Sequence, residues 1–258
     1  MPGFESIIDQ DHPIRILTTF LQKGTVPHAL LFTGIEGVGK QNTAVAFAMA
    51  CNCTGDKFET KSELRDSRAA DGHSTTNRPR IINPCGNCKS CRKIESGNHP
   101  DIIRIKPSGA SIKINQIRTL CQTLTMKPYE AGIRVVLISD AQALNPAAGN
   151  ALLKVLEEPP TGTILILVAS HTSDLLPTIV SRCRHIRFNP IPRTKMETVL
   201  VRRHGLDPEK ARIIAAMAGG SFSRALHMYR TNWISRRNWL ISELDSVSSQ
   251  SISRLLAF

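Results

Sequence analysis

The sequence lacks the features of a secreted or membrane-bound protein. None of its apolar runs reaches the roughly 18 residues that a membrane-spanning helix needs, so we expect no membrane association. The first residues, MPGFESIIDQDHPI, contain no basic segment followed by an apolar one, which argues against a signal peptide. We therefore expect a cytoplasmic protein.

Acidic residues are also in deficit. The 258 residues include 33 Lys and Arg but only 21 Asp and Glu, which gives a formal charge of +12. An excess of this size indicates contact with nucleic acid or another polyanion, and a solvated basic surface is the alternative. Hydrophobic residues make up 41% of the chain, enough for a sizeable core in one large domain or two smaller ones.

The chain has seven cysteines but no secretory signal, which favours metal binding over a disulfide scaffold. Cys85, Cys88 and Cys91 form C-x-x-C-x-x-C, a spacing that lets three thiolates converge from one tight turn. Structural zinc needs a fourth ligand, and both Cys51 and Cys53 lie at the end of the preceding predicted helix. We expect a zinc site here, with an iron–sulfur cluster as the alternative.

Predicted strands and helices alternate as far as about residue 190. The apolar runs HALLFT, IRVVLIS and TILILVAS are typical of parallel strands that are buried on both faces. This alternation predicts an α/β domain with a parallel sheet. Residues 54–84 are polar and predict a mobile insertion loop. From about residue 191 the pattern is helical and predicts a second, smaller domain.

A glycine-rich segment, GIEGVGKQNT, lies between the first predicted strand and a predicted helix. Gly34, Gly39 and Lys40 fit the phosphate-binding pattern G-x-x-x-x-G-K-[ST], but Gln41 stands where the pattern has Ser or Thr. Gln41 therefore lacks the hydroxyl that binds Mg²⁺. Because backbone N–H groups and one lysine charge can still cradle phosphates, nucleotide binding remains an open alternative.

The second strand of the pattern, VVLISD, ends in Asp140. In P-loop NTPases an aspartate at this place helps to hold Mg²⁺. An ATPase of the D-E type has glutamate next, as the base that activates water, whereas Ala141 follows here. Together, Gln41 and Ala141 predict a P-loop fold that hydrolyses ATP poorly. The alternative is that Asp140 only caps the helix that follows.

Four segments carry a resemblance to bacterial clamp-loader subunits, which are AAA+ proteins of DNA polymerase III. These segments are HALLFTGIEGVGK, CGNCKSCRKIESGNHPD, ISDAQALNPAAGNALLKVLEEPP and LLPTIVSRCRHIRF, in this order, and the resemblance extends from residue 1 to about 240. It implies a P-loop AAA+ domain over 1–190 with a zinc module at about 51–100. It also implies a helical lid domain over 191–245 and, over 246–258, the start of a truncated collar domain or a linker.

Two subunit types of this family carry the zinc module and the S-R-C motif, the gamma/tau ATPase and delta-prime. The chain is more similar to delta-prime because Gln41 and Ala141 depart from the ATPase pattern. The resemblance implies a largely non-hydrolysing stator whose Arg182, in S-R-C, is an arginine finger for ATP on the neighbouring ATPase. The degenerate nucleotide site that it implies consists of Gly34, Gly37, Gly39, Lys40, Gln41 and Asp140.

The resemblance also implies the zinc ligands and the partners. Cys53 follows Asn52 as the family's fourth cysteine does, which gives the set Cys53, Cys85, Cys88 and Cys91. The partners are gamma/tau and delta subunits, primed DNA through the assembly, and the sliding clamp indirectly, within a nucleoid-associated nucleotidyltransferase holoenzyme. Two alternatives stay open. One is an active gamma/tau-type ATPase, and the other is a stand-alone zinc-bearing nucleic-acid-binding module with a vestigial P-loop.

Overall fold

Five parallel strands form the central sheet, and their order agrees with the burial that their sequences predict. A computed structural model describes residues 3–55, 58–60 and 81–249. The strands of the chain are β1 (Ala29–Thr33), β2 (Phe58–Thr60), β3 (Ile81–Asn83), β4 (Ile102–Ile105), β5 (Arg134–Ile138), β6 (Thr163–Ala169) and β7 (Arg184–Arg187). The order in the sheet is β4-β5-β6-β1-β7. The three central strands, β5, β6 and β1, are buried along their whole length, as their continuous apolar runs predict.

Helices cover both faces of this sheet. Those of the first unit are α1 (Asp11–Lys23), α2 (Lys40–Asn52), α3 (Lys89–Ser96), α4 (Ile114–Thr125), α5 (Pro146–Glu157) and α6 (Pro177–Val180). Leu30 and Phe32 of β1 join a core with α1, α2 and α3, whereas Ala29 and Leu31 join a core with α4, α5 and α6. Because successive side chains of a strand point to opposite faces, one apolar run supplies both cores.

The parallel arrangement brings several loops to one edge of the sheet. β1, β5 and β6 all end there, so the segments that follow them start close together. These segments begin at Gly34, Ser139 and Ser170, and the backbone N–H of Gly34 donates to the carbonyl of Ser170 at 3.1 Å. In open α/β sheets, ligands bind at this carboxyl edge. The fold thus places the glycine loop where a phosphate site is expected.

The cysteine module lies between α2 and β4. Residues 61–80, most of the segment for which the sequence predicts a mobile loop, lie outside the described residues. At its ends, β2 and β3 pair antiparallel, with Glu59 opposite Ile82. The prediction of a loop throughout 54–84 was therefore wrong at these two short strands, because three-residue strands are too short to give a clear period in the sequence.

The second unit, from Pro190 onward, is helical as predicted. Its helices are α7 (Arg193–His204), α8 (Pro208–Met217), α9 (Phe222–Arg230) and α10 (Trp233–Ser249). The Asp207 carboxylate accepts the N–H groups of Glu209 and Lys210 at the start of α8, and the Ser221 hydroxyl accepts that of Arg224 in α9. Across the part of the chain that the structure describes, none of the helices is both long and apolar enough to cross a membrane.

Candidate functional site

The glycine loop between β1 and α2 has the backbone of a phosphate-binding loop. Gly34, Gly37 and Gly39 have φ values of 145°, 79° and 103°, a region that side chains with a Cβ rarely adopt. A Cβ on Gly34 would also lie only 2.5 Å from the carbonyl oxygen of Phe188. Gly39 directly precedes α2, so the loop leads into the N-terminus of a helix, where backbone N–H groups favour anions.

The lysine of the loop is held by the loop itself. The Lys40 side-chain ammonium donates to the carbonyl oxygens of Gly34 and Ile35, the latter at 2.8 Å. Burial lowers the pKa of Lys40, although the negative charges of Glu36 and Asp140 oppose this effect. The Lys40 ammonium is thus already positioned at the loop, where a bound phosphate group would lie.

The position that should carry a hydroxyl makes a different contact. The Gln41 side-chain amide donates to the Ser139 hydroxyl at the end of β5. Asp140 follows in a left-handed conformation, with φ of 52°, and within the described part of the chain its side chain makes no capping hydrogen bond to the next turn. The alternative of a helix cap is thus not supported. Ala141 is fully buried and offers no group that could accept a proton from water.

Four cysteines converge at the end of α2. The Sγ atoms of Cys53, Cys85, Cys88 and Cys91 all lie within 4.8 Å of one another, and those of Cys85 and Cys91 are 4.0 Å apart. Tetrahedral zinc with bonds of about 2.3 Å has sulfur–sulfur edges of about 3.8 Å. The four thiols therefore fit a single tetrahedral ion, whereas an iron–sulfur cluster interposes further atoms between its ligands. Of the two candidates for the fourth ligand, the structure brings Cys53 into the group.

Backbone N–H groups point at three of these sulfurs. The N–H of Cys85 donates to Cys53 Sγ at 3.4 Å, that of Cys88 to Cys85 Sγ at 3.3 Å, and that of Cys91 to Cys88 Sγ at 3.4 Å. Such hydrogen bonds orient ligands and stabilise negative charge on sulfur. Two of these bonds join cysteines three residues apart in the motif, which is the local reason for the C-x-x-C-x-x-C spacing.

The thiols differ in pKa according to their surroundings. Burial opposes ionisation of Cys88, but the backbone N–H groups of Cys91 and Thr54 outweigh it and lower its pKa to about 5. The pKa of Cys85 is lowered in the same way by the N–H groups of Cys88 and Asn87. Burial raises the pKa of Cys53 and of Cys91. A metal ion binds the deprotonated form of each thiol, so binding would release protons.

Arg182 lies at the surface, in the turn between α6 and β7. Its side chain is 36% exposed, and Nη2 is 2.7 Å from Glu157 Oε1. Nη1 donates to the backbone carbonyl of Thr178 at 3.0 Å. The next residue, Cys183, is partly buried against the core, and burial raises the pKa of its thiol to about 11.

Several neighbours of these sites were not identified from the sequence. Glu157 lies next to Arg182 and Ser139 lies next to Gln41 in the structure. Both pairs are far apart in the sequence, so no local pattern indicates their contacts. Gly55 was not singled out either, although a Cβ there would lie 2.8 Å from Cys85 Sγ. A small residue next to a ligand cysteine is the signal that could have identified it.

Comparison with known proteins gives a family and a fold. Residues 9–192 match the family model described as DNA polymerase III, delta subunit. The chain is 30% identical over 241 residues to the Bacillus subtilis DNA polymerase III subunit delta', with 93% of this chain and 65% of the relative covered. It is also 30% identical over 258 residues to the Escherichia coli subunit tau, with 98% of this chain and 35% of the relative covered. The chain thus spans less than two thirds of each relative.

Among solved structures, the Thermotoga maritima RuvB Holliday junction branch migration motor has a similar fold. It covers 89% of this chain and 63% of the RuvB chain, with 13% sequence identity and a TM-score of 0.56. At this identity the likeness shows the fold alone. The likeness therefore confirms the predicted fold, a parallel α/β sheet with a glycine loop after its first strand.

Proposed function

The chain belongs to the DNA polymerase III delta subunit family, and from this membership we propose that it is a clamp-loader subunit of the delta-prime type. Such a subunit acts largely as a non-hydrolysing stator and supplies Arg182 to ATP bound on a neighbouring gamma/tau-type ATPase. The assembly, with a delta subunit as a further partner, opens a sliding clamp and places it on primed DNA in the cytoplasm.

One contrast within the molecule carries this proposal. The chain's own loop has Gln41, bonded to Ser139, in place of a metal-binding hydroxyl, and buried Ala141 in place of a base. Arg182, by contrast, keeps its guanidinium at the surface. A guanidinium cannot lose its proton and can stabilise the charge that develops on a transferring phosphoryl group. We therefore assign ATP hydrolysis to the neighbouring subunit, with Arg182 as the group that this chain contributes to it.

The cysteine cluster is proposed to hold structural zinc. Cys53, Cys85, Cys88 and Cys91 supply four thiolates, which is one of the common ligand sets of structural zinc. The ion would fix the end of α2 against α3, and its role would be stability rather than catalysis. One zinc per chain is the expected content of the purified protein.

A gamma/tau-type ATPase is the second candidate, because the identity to the E. coli subunit tau extends over 98% of the chain. The two candidates differ in where hydrolysis occurs. An active ATPase would turn over ATP by itself and lose that activity on Lys40→Ala. A delta-prime subunit would show no DNA-stimulated turnover by itself.

The test combines the chain with gamma/tau-type ATPase and delta subunits, a sliding clamp and primed DNA. We expect Arg182→Ala to lower ATP turnover by the assembly about tenfold, since a finger contributes to the transition state, and to leave assembly on a sizing column intact. Lys40→Ala is the matched variant in the chain's own loop, and we expect turnover close to that of the wild type. The proposal would be contradicted if the assembly with Arg182→Ala kept the wild-type turnover. It would also be contradicted if the assembly with Lys40→Ala lost turnover while that with Arg182→Ala did not.

A further inference from the structure

We propose that Glu157 is a positioning residue that holds the Arg182 guanidinium in the orientation needed by the neighbouring ATP site. This inference rests on the proposed function of Arg182. Its basis is an ion pair between Arg182 Nη2 and Glu157 Oε1 at 2.7 Å. At this distance the opposite charges of the guanidinium and the carboxylate attract each other directly, which favours one orientation of the Arg182 side chain.

A second anchor fixes the plane of the guanidinium. Arg182 Nη1 donates to the carbonyl oxygen of Thr178 at 3.0 Å, while Nη2 faces Glu157. A planar fork that is held at both terminal nitrogens cannot turn about its own axis. Among the described residues the hydrogen bond to Thr178 uses one of the five N–H donors of the guanidinium, which leaves others for a phosphate.

Both anchors belong to packed elements rather than to a loose loop. Glu157 is the last residue of α5, and Thr178 lies in α6. The two helices approach closely, since a Cβ on Gly149 of α5 would lie 2.9 Å from a methyl group of Leu176. The turn that carries Arg182 is tied to α6 by its own N–H, which donates to Ile179 at 3.2 Å. The position of the guanidinium is therefore set by the packing of α5 on α6.

The pair is too exposed to serve stability alone. The Glu157 side chain is 51% exposed and that of Arg182 is 36% exposed. Solvated ion pairs contribute little to the free energy of unfolding, because water competes for both charges. Loss of the Glu157 carboxylate should thus leave the fold intact while the long arginine side chain gains rotational freedom. A misplaced catalytic group lowers rate without lowering substrate affinity.

Four variants test this assignment in the assembly described above. We expect Glu157→Ala to lower kcat for ATP by about fivefold with KM unchanged, since orientation acts on the chemical step. Glu157→Gln should recover only part of the rate, because its amide oxygen can accept an N–H from Arg182 but carries no charge for the ion pair. Glu158→Ala removes the adjacent exposed carboxylate and is the matched control, with the wild-type rate expected. Arg182→Ala reports the finger itself.

The outcomes separate the two hypotheses. If Arg182→Ala lowers turnover and Glu157→Ala does not, Glu157 has no positioning role and the finger stands. If Arg182→Ala has no effect, the proposed function and this inference both fall. The contact is also measured in the free chain by the Nη–H resonances of Arg182 in ¹⁵N NMR, since Nη2 is the atom that faces Glu157. We expect Glu157→Ala, but not Glu158→Ala, to speed their exchange with water, and equal exchange rates would overturn the inference.

Discussion

Gly55 lies so close to the cysteine cluster that a larger residue cannot fit without moving a ligand. A Cβ at this position would be 2.8 Å from Cys85 Sγ and 3.3 Å from Cys85 Cβ. Contacts under 3.0 Å force something to shift, and the Cys85 sulfur is held by the N–H of Cys88 and by the geometry of the cluster. The glycine is therefore as much a part of the proposed zinc site as the thiols.

We predict that Gly55→Ala weakens zinc binding by about tenfold, because displaced ligands and their supporting contacts lower affinity by this order. The measurement is competition of the purified protein with a chelator of known affinity, followed by metal analysis. Gly132→Ala is the control, since no heavy atom of the described residues lies within 4 Å of a Cβ built there. Equal zinc affinity of the two variants would show that the cluster tolerates the added methyl group.

The loop between α4 and β5 is held by one buried carboxylate. Asp101, which is 2% exposed, accepts the N–H groups of Tyr129, Glu130 and Ala131 at 2.7 to 2.8 Å. Its Oδ1 is also 3.7 Å from Arg134 Nη2. Burial alone would raise the pKa of Asp101, but these N–H donors and the arginine charge outweigh it and lower the pKa. One side chain thus fixes the entry of the chain into β5.

We predict that Asp101→Asn lowers the free energy of unfolding by about 3 kcal/mol at pH 7, because it leaves buried N–H groups and a buried arginine without the anion. Since the folded carboxyl has a lowered pKa, its contribution is complete above the ordinary pKa of about 3.9 and is lost as the pH falls through the folded value. Urea unfolding of wild type and variant, from pH 7 down to about pH 3, measures the difference.

Glu130→Gln is the control for this prediction. Glu130 lies in the same loop, but its carboxylate pairs with partly exposed Lys93 and lies 3.7 Å from the His99 ring, so its removal should change stability less than that of Asp101. A difference between wild type and Asp101→Asn that stayed constant down to about pH 3 would mean that Asp101 does not ionise in the way its contacts require.

The central strands of the sheet could be predicted from the sequence because continuous apolar runs indicate strands that are buried on both faces. β1, β5 and β6 coincide with HALLFT, IRVVLIS and TILILVAS. The order of the strands could not, since periodicity gives the burial of a strand but not its neighbour. β2 and β3 were missed because each has only three residues.

The candidate sites could be predicted only as far as spacing and motif determine them. The three cysteines at 85, 88 and 91 share one turn, so their convergence followed from the spacing alone. The choice of Cys53 over Cys51 needed the resemblance, because both end the same helix. Which of two adjacent glutamates, Glu157 or Glu158, faces Arg182 depends on the packing of α5 against α6, which no local pattern encodes.

In the proposed function, the chemistry of the whole molecule depends on a neighbouring subunit. The chain keeps the shape of a phosphate loop but has Gln41 and Ala141 where an ATPase has a hydroxyl and a carboxylate. Arg182 lies at the surface, where it forms an ion pair with Glu157. A protein that retains the frame of a site and offers a catalytic group at its surface is useful chiefly in an assembly, and this agrees with the proposed clamp-loader role.

Under the same proposal, the charge of +12 favours contact with the phosphates of DNA. Lysines and arginines that face phosphates bind any DNA sequence equally well, and each contact releases counterions. The logarithm of the affinity therefore falls linearly with log salt, by about 0.7 to 0.9 per phosphate contact for each tenfold rise in salt concentration. We predict that the chain alone binds labelled primed DNA weakly, that the assembly binds it more tightly, and that both lose affinity with salt, as measured by fluorescence anisotropy. Primed DNA of equal length but shuffled base sequence should bind equally well.

The opposite outcome is tight binding by the chain alone that resists salt or prefers one DNA sequence. It would support a stand-alone nucleic-acid-binding module, because base contacts rather than phosphate contacts would then dominate.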